Sequence, residues 1–174
     1  MEAQSPNKQP TARPTKFWEN LAGMLSGAAA VFLLVTLRDR GTLFPGFVML
    51  IASMGASAVL IFGIPHSVLA RPWPVLAGHT VSALLGVLCA KYISSEALAA
   101  ACAVGLSIGA MHRLRCIHPP GGATALGAVI GGPAIREMGL GFVWNPVFLN
   151  ALVLVCAGLL YHRLIAHHEK KDTK

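Results

Sequence analysis

The sequence predicts an all-α fold: a polytopic bundle of transmembrane helices with five to six hydrophobic segments, one of them a short half-helix broken by proline. Two observations about the whole chain support this. Of its 174 residues, 55% are hydrophobic and 12% are charged, whereas a soluble domain carries about 25% charged residues. The apolar residues also fall into separate runs, and mean hydropathy is +0.63. We therefore expect one compact domain embedded in a membrane.

Three regions follow from the distribution of polar residues. Residues 1–20 form a polar, proline-containing tail that we expect to be disordered. Residues 21–164 form the transmembrane domain, and residues 165–174 form a basic tail. The first apolar run lacks a following small-residue cleavage site, so it is predicted to be an uncleaved span rather than a signal peptide.

Six apolar segments account for the predicted bundle. Charged residues, or prolines such as Pro45 and Pro65, separate one segment from the next. The fifth segment is too short to cross a bilayer core of about 30 Å as a simple helix. The six segments are residues 21–37, 46–63, 75–90, 97–111, 122–132 and 147–164.

The basic residues indicate how the chain is oriented. If the short fifth segment crosses the membrane, ten Lys and Arg side chains face one side and four face the other. If it turns back, the division is seven to seven. Because basic residues concentrate in cytoplasmic loops, six crossings with both termini in the cytoplasm are favoured, in a cell inner membrane. The same rule explains the net charge of +7 better than nucleic-acid binding does.

An interruption in the apolar pattern begins at His118. Pro119 and Pro120 remove two backbone donors and bias the preceding residue away from helix, so a helix should resume near Gly121. The first N–H groups of that helix would lack intrahelical partners and carry the positive end of the helix dipole, which favours a small anion. Thr124 adds a hydroxyl, and His118 adds a group that changes charge near physiological pH. In the structural alternative, the prolines only start a buried helix and a carbonyl satisfies His118.

Other residues are predicted to face this break. His79 lies inside an apolar segment, where ionisable groups usually face a cavity or a partner. Ser53 and Ser57 would line a cavity opposite Thr124, unless they bond only to their own backbone.

Two arginines complete the predicted anion site. Arg113 and Arg115 would attract anions electrostatically, or they would serve only to fix the topology. The predicted substrate-binding residues are His118, Pro119, Pro120, Gly121, Gly122, Thr124, Ser57, His79, Arg113 and Arg115.

Weak internal similarity indicates an inverted repeat as one interpretation and chance as the other. Residues 55–59 resemble residues 122–126 at an offset of 67, but a second match, of residues 38–46 with 113–121, has an offset of 75. Three spans in each half would make the halves inverted, as in many secondary transporters. G-x-x-x-G pairs such as Gly23 and Gly27 would pack helices within the chain, or form the face of a homo-oligomer.

Other kinds of site have little support. His112, Cys116 and His118 match no common zinc spacing, so no metal is predicted, and no cofactor is. The four cysteines lie singly and indicate no disulfide framework. Neither H-E-x-x-H nor G-x-S-x-G occurs, so an enzyme is not expected.

The segment CIHPPGGATAL, residues 116–126, resembles the signature of the HPP family of integral membrane proteins. Residues 51–60, followed by the Leu69-Ala70-Arg71-Pro72 run and by Gly78-His79, are similar to the family's first conserved block. The resemblance extends from about residue 45 to residue 164. It implies a small multi-span membrane protein, often described with four spans, and some plant and cyanobacterial members are regarded as nitrite transporters.

Together these features predict transport of a small inorganic anion, with the lipid bilayer as surroundings. Nitrite is the anion that the resemblance implies. The alternative is a structural or assembly subunit that transports nothing itself. Sequence does not separate channel from carrier, or import from export.

Overall fold

The computed structural model describes residues 17–40 and 52–172. Within these residues the chain is helical apart from short connections, and it forms no strand there. The all-α prediction is therefore confirmed for the described part of the chain.

The described residues form seven α-helices, α1 to α7. Their bounds are α1 Phe17–Arg40, α2 Ala52–Ala58, α3 Pro72–Tyr92, α4 Glu96–Arg113, α5 Pro119–Ile130, α6 Pro133–Met138 and α7 Leu149–Asp172. A π-helical stretch, Val59–Gly63, extends α2, and another, Val143–Phe148, leads into α7. A 3-10 turn, Val68–Ala70, precedes α3.

Proline sets the start of three helices. Pro72, Pro119 and Pro133 are the first residues of α3, α5 and α6, where the backbone N–H would lack an intrahelical partner in any case. α5 thus begins at Pro119, two residues before the predicted start near Gly121, because Pro119 and Pro120 fit the first turn of the helix instead of preceding it.

The helices other than α6 coincide with the predicted apolar segments wherever those are described, but their lengths differ. Pro72–Tyr92 and Val143–Leu164 are both long and apolar enough to cross a membrane, whereas Asn20–Thr36 and Ala52–Gly63 are shorter apolar helices. At 12 residues, α5 is about 18 Å long, well short of a bilayer core. The count of five to six spans therefore stays a prediction.

Both ends of the bundle differ from the predicted region boundaries. α1 begins at Phe17, so residues 17–20 belong to a helix, and residues 1–16 of the predicted tail lie outside the described residues. Residues 17–20 contain no proline, so no residue among them prevents a helix from beginning at Phe17. At the other end, α7 runs to Asp172, so most of the basic tail continues a helix.

α3 is the central helix. It packs most extensively on α5 and on α4, which also pack on each other. On its other side, α7 packs on α3, α1 and α2. Leu34, Met54, Ile61, Phe142 and Leu154 fill the apolar core between these helices.

Polar and apolar residues are distributed as expected for a protein surrounded by lipid. Many large apolar side chains face outward, such as Phe32 on α1 and Leu160 on α7, which are 73% and 60% exposed. Polar side chains lie inside instead, namely Ser53, Ser57, His79, Ser82, Ser107, His118, Thr124 and Asn150. A soluble protein of this size would normally show the opposite preference.

Candidate functional site

Five of these buried polar side chains meet beside α3, and we call them the imidazole cluster. Ser53 and Ser57 come from α2, His79 from α3 and Thr124 from α5, while His118 immediately precedes α5. Ser53 is 2% exposed and the other four are 0% exposed. Polar side chains buried this deeply normally have hydrogen-bond partners.

Small residues on α3 bring α5 close enough to form the cluster. A Cβ atom on Gly121 would lie 2.9 Å from the Gly78 carbonyl oxygen and from Ser82 Oγ. A Cβ atom on Gly86 would lie 2.6 Å from the Ala125 carbonyl oxygen. Gly78, Ser82 and Gly86 therefore form a strip of small residues, spaced four apart, on which α5 lies. The sequence contains this signal, but the predicted G-x-x-x-G pairs did not include it.

His118 is positioned by its backbone and by one ring nitrogen. Its extended conformation, with φ −141° and ψ 100°, is the one that a following proline favours. Its Nδ1 lies 2.9 Å from the Leu69 carbonyl oxygen, which can only accept, so Nδ1 carries the hydrogen. Its Nε2 faces the cluster, 2.8 Å from Ser57 Oγ and 3.2 Å from His79 Nε2. A carbonyl thus satisfies one nitrogen, as the structural alternative required, and the other nitrogen remains for the cluster.

His79 is bonded at both ring nitrogens. Its Nε2 lies 2.7 Å from Ser57 Oγ, and its Nδ1 lies 2.7 Å from Thr124 Oγ1. Thr124 Oγ1 is in turn 2.8 Å from Ser53 Oγ. The His79 and His118 rings meet edge to face, with centroids 4.8 Å apart. The five side chains therefore form one continuous hydrogen-bonded chain that ends on the Leu69 carbonyl.

With both imidazoles neutral, one placement of hydrogens satisfies the whole chain. His118 Nε2 must accept, and the Ser57 hydroxyl donates to it at 2.8 Å in preference to the Ser53 carbonyl, which lies farther away at 3.1 Å. Ser57 Oγ then accepts from His79 Nε2–H. Thr124 donates to His79 Nδ1 at 2.7 Å in preference to the Pro120 carbonyl at 3.2 Å, and it accepts from Ser53. If His79 carried its hydrogen on Nδ1 instead, two Nε2 lone pairs would compete for the single Ser57 hydrogen. All the bonds therefore point the same way, from Ser53 towards His118.

The predicted residues of the HPP break divide between the core and the surface. Pro120 is buried, Pro119 is exposed, and Gly122 is half-buried with free space at its Cβ position. The Gly121 N–H donates to the His118 carbonyl at 2.8 Å. Gly121 thus serves close packing against α3 in this structure, rather than the approach of an anion to its N–H.

The two predicted arginines lie outside the imidazole cluster. Arg113 ends α4, and Arg115 follows in a left-handed conformation with φ 53°. Both are exposed, because the chain must turn here at the surface before it enters α5. These arginines do not contact the cluster. Their two predicted roles, attraction of anions and determination of the topology, both stay open.

The described residues offer few side chains that could bind a metal ion together. Among them, no group of three or more His, Cys, Asp and Glu side chains could hold a metal ion. Cys116 is buried, but His112 is exposed, so the residues of the zinc alternative do not converge with His79 and His118.

A separate cavity of about 200 Å³ lies near the C-terminal end of α5. Val129, Lys91 and Arg136 contribute to its lining. The Arg136 guanidinium donates to the Glu96 carboxylate at 2.6 Å.

Two members of the hydrogen-bonded chain, Ser53 and the Leu69 carbonyl, were not among the predicted binding residues. Ser53 was predicted as a lining residue but not among the binding residues, and its bond to Thr124 gives it a defined position. The Leu69 carbonyl carries no sequence signal, since any residue supplies a carbonyl.

Comparison with known proteins adds the family. The family model described as HPP, transmembrane region, matches residues 10–171 of this chain. The chain belongs to the HPP transmembrane family. The HPP resemblance is thereby confirmed, and this HPP protein is membrane-embedded.

Relatives of the HPP protein include two transmembrane proteins of Dictyostelium discoideum. One is 38% identical over 140 residues, which cover 78% of this chain and 45% of the relative. The other is 37% identical over 140 residues, covering 78% and 49%. The chain thus spans about half the length of these relatives. No solved structure matches it.

Proposed function

We propose that this HPP protein moves a small inorganic anion across its membrane through the imidazole cluster at the HPP break. The observation that carries the proposal is a fully buried polar cluster with two imidazoles at the start of a half-helix. Polar groups inside membranes are costly and are mostly kept for substrate or ion pathways. Broken helices are also where transporters place their binding sites.

The chemistry of the cluster favours an anion over a cation. Its side chains supply hydroxyl and imidazole groups, and an imidazole that gains a proton becomes positive. Glu96 and Glu137 are both exposed, so neither of these carboxylates is available in the interior to hold a cation. Nitrite is the first anion to test, because the HPP resemblance implies nitrite transport for some members.

The packing supports two inverted halves, α1–α2–α3 and α4–α5–α7. α3 packs on α4 and α5, and α7 packs correspondingly on α1 and α2. α2 and α5 pack on each other between the two halves. We propose that these are equivalent half-helices, whose relative movement would expose the cluster to each side in turn.

We further propose an inner-membrane location with both termini in the cytoplasm. The ten-to-four distribution of basic residues supports this orientation. We propose transport rather than an enzymatic reaction.

The test is anion uptake by proteoliposomes of the purified chain, using nitrite, nitrate, formate and chloride. His118→Asn is the informative variant, because an asparagine amide can replace Nδ1–H at the Leu69 carbonyl while Nε2 is lost. His118→Gln is its counterpart, since a glutamine amide reaches the Nε2 position but not Leu69. We expect selective nitrite flux in the wild type and none in either variant, with His118→Asn the more stable.

A structural subunit gives a different result. In that case the wild type would move no anion. The variants would differ from it only in stability, and His118→Asn would be as stable as the wild type. If the wild type transports nitrite and His118→Asn does so equally well, His118 is not part of the transport pathway.

A further inference from the structure

The heavy atoms of the imidazole cluster allow a second satisfied hydrogen-bond pattern that holds one more proton. With a proton on Nε2, His118 donates to Ser57 at 2.8 Å, and Ser57 donates to His79 Nε2 at 2.7 Å. His79 Nδ1–H then donates to Thr124 at 2.7 Å, and Thr124 donates to Ser53 at 2.8 Å. Every bond between the five side chains is reversed, the bond from His118 Nδ1–H to the Leu69 carbonyl stays, and no heavy atom has to move.

The extra proton comes to rest on His118. It enters at the Ser53 end from a hydronium ion, which leaves a neutral water molecule, and each O–H or N–H bond breaks as the next one forms. The last transfer breaks the Ser57 O–H bond and forms N–H at His118 Nε2. The Leu69 carbonyl beyond His118 can only accept a hydrogen bond, so the proton passes no further. The cluster gains one proton and one positive charge.

The spacing of the two rings limits the cluster to a single proton. His79 Nε2 and His118 Nε2 are 3.2 Å apart. A second proton would place two positive imidazolium groups against each other in an interior where their repulsion is poorly screened.

Nothing described around the pair supplies a compensating negative charge. α2 with its π-helical stretch, the 3-10 turn and α5 contain no ionisable side chain. On the other packed elements and the turns beside them, the ionisable side chains described near the pair in sequence or facing inward are the buried thiol of Cys89 on α3 and Arg71, His112, Arg113, Arg115, Cys116 and Tyr161. The three arginines and His112 are exposed, and none of them carries a negative charge. The Cys116 thiol is buried, and the Tyr161 hydroxyl donates to the Phe62 carbonyl. The charge of the protonated cluster is therefore best neutralised by the substrate.

We infer that the cluster binds one proton together with one monovalent anion and carries both across, so that transport is electroneutral. This inference rests on the proposed function. Reversal of the chain also changes Ser53, because Thr124 now donates to it. The Ser53 hydroxyl hydrogen no longer donates to Thr124 and can donate to another group. Ser53 is thus an anion-binding residue whose hydrogen becomes available when His118 is protonated.

The first experiment is nitrogen NMR of the full chain labelled with ¹⁵N-histidine, with signals assigned through His79→Gln and His118→Asn. In the neutral state we expect opposite tautomers, Nε2–H on His79 and Nδ1–H on His118. On acidification the pair should take up one proton, with His118 charged and His79 switched to Nδ1–H. The same neutral tautomer on both rings, or a charge on both, would overturn the inference.

The second experiment measures the stoichiometry in proteoliposomes with nitrite. We expect uptake driven by a pH gradient, one proton per nitrite, and no response to an imposed potassium diffusion potential. Ser57→Ala, which interrupts the chain, should lower flux about a hundredfold. Ser107→Ala removes another buried hydroxyl, one without a partner, and should stay within about twofold of the wild type.

The outcomes separate this inference from the proposed function. Nitrite flux that follows voltage without proton uptake would overturn the inference and leave anion transport standing. No flux of any anion in the wild type would refute anion transport and the coupling with it, whereas the tautomers would still decide whether the proton chain exists.

Discussion

α2 and α5 approach His79 from two sides with almost the same chemistry. On α2, Ser57 Oγ lies 3.1 Å from the Ser53 carbonyl, and on α5, Thr124 Oγ1 lies 3.2 Å from the Pro120 carbonyl, each four residues back. Each hydroxyl also bonds to one nitrogen of His79.

The two helices differ in what else they bring. α5 is preceded by a second imidazole, that of His118, whereas α2 adds only a second hydroxyl, that of Ser53. The difference teaches that the paired hydroxyls fix the geometry of His79, while the ability to hold a proton depends on the HPP side alone.

The largest expected effect comes from comparing the two hydroxyls directly. Ser57→Ala separates both imidazoles from their shared partner, whereas Thr124→Val leaves the Ser57 link between them intact. Both changes interrupt the proton chain, but Ser57→Ala also leaves His118 Nε2 without a hydroxyl partner, so we expect nitrite flux to fall about a hundredfold in Ser57→Ala and about tenfold in Thr124→Val. Thr124→Ser, which keeps the hydroxyl, is the control and should restore most of the flux. Equal losses in the Ser57 and Thr124 variants would mean that the two hydroxyls are equivalent.

A smaller effect is expected from three glycines that test how each half-helix is packed. Gly121→Ala places a methyl group 2.9 Å from the Gly78 carbonyl, and overpacking of this kind costs about 1–3 kcal/mol of stability. Gly55 on α2 and Gly122 on α5 have nothing within 4 Å of a Cβ position. Alanine at either should therefore be neutral or slightly stabilising, since glycine is the poorer helix former.

Thermal unfolding in detergent measures these three variants side by side. A Gly121→Ala protein as stable as Gly122→Ala would show that α5 does not lie tightly against α3.

The smallest effect is expected at the surface, for Arg113→Gln. Arg113 is exposed and outside the cluster, so its charge acts only by raising the local anion concentration. Initial uptake should fall about twofold at low salt and match the wild type at about 1 M ionic strength, where charges are screened within about 3 Å. A loss that persists at high salt would place Arg113 in direct contact with the anion. Uptake rates at the two salt concentrations decide between these results.

Much of the architecture could be predicted because it depends on local properties. Apolar runs predicted helices at the described segments, and the prolines at 119 and 120 predicted a break followed by a helix too short to cross the membrane. Ser57, His79, His118 and Thr124 were all predicted as binding residues, because polar groups are conspicuous in or beside apolar segments, and the structure brings these four together.

Helix rotation and helix contacts could not be predicted in this way. A polar residue on a helix faces inward or outward according to how that helix packs, and packing depends on small residues far away in sequence. Arg113 and Arg115 were predicted to attract anions electrostatically, and the structure adds that the turn at Arg115 leaves both at the surface, outside the cluster.

The sequence by itself thus determined a membrane-embedded, helical HPP protein with a proline-bounded half-helix, because hydropathy and proline act on the residues beside them. The tertiary structure alone decided that Ser53 and the Leu69 carbonyl close the chain around two imidazoles. Those contacts join residues from separate helices, and they form only because Gly78, Gly86 and Gly121 let α3 and α5 approach closely.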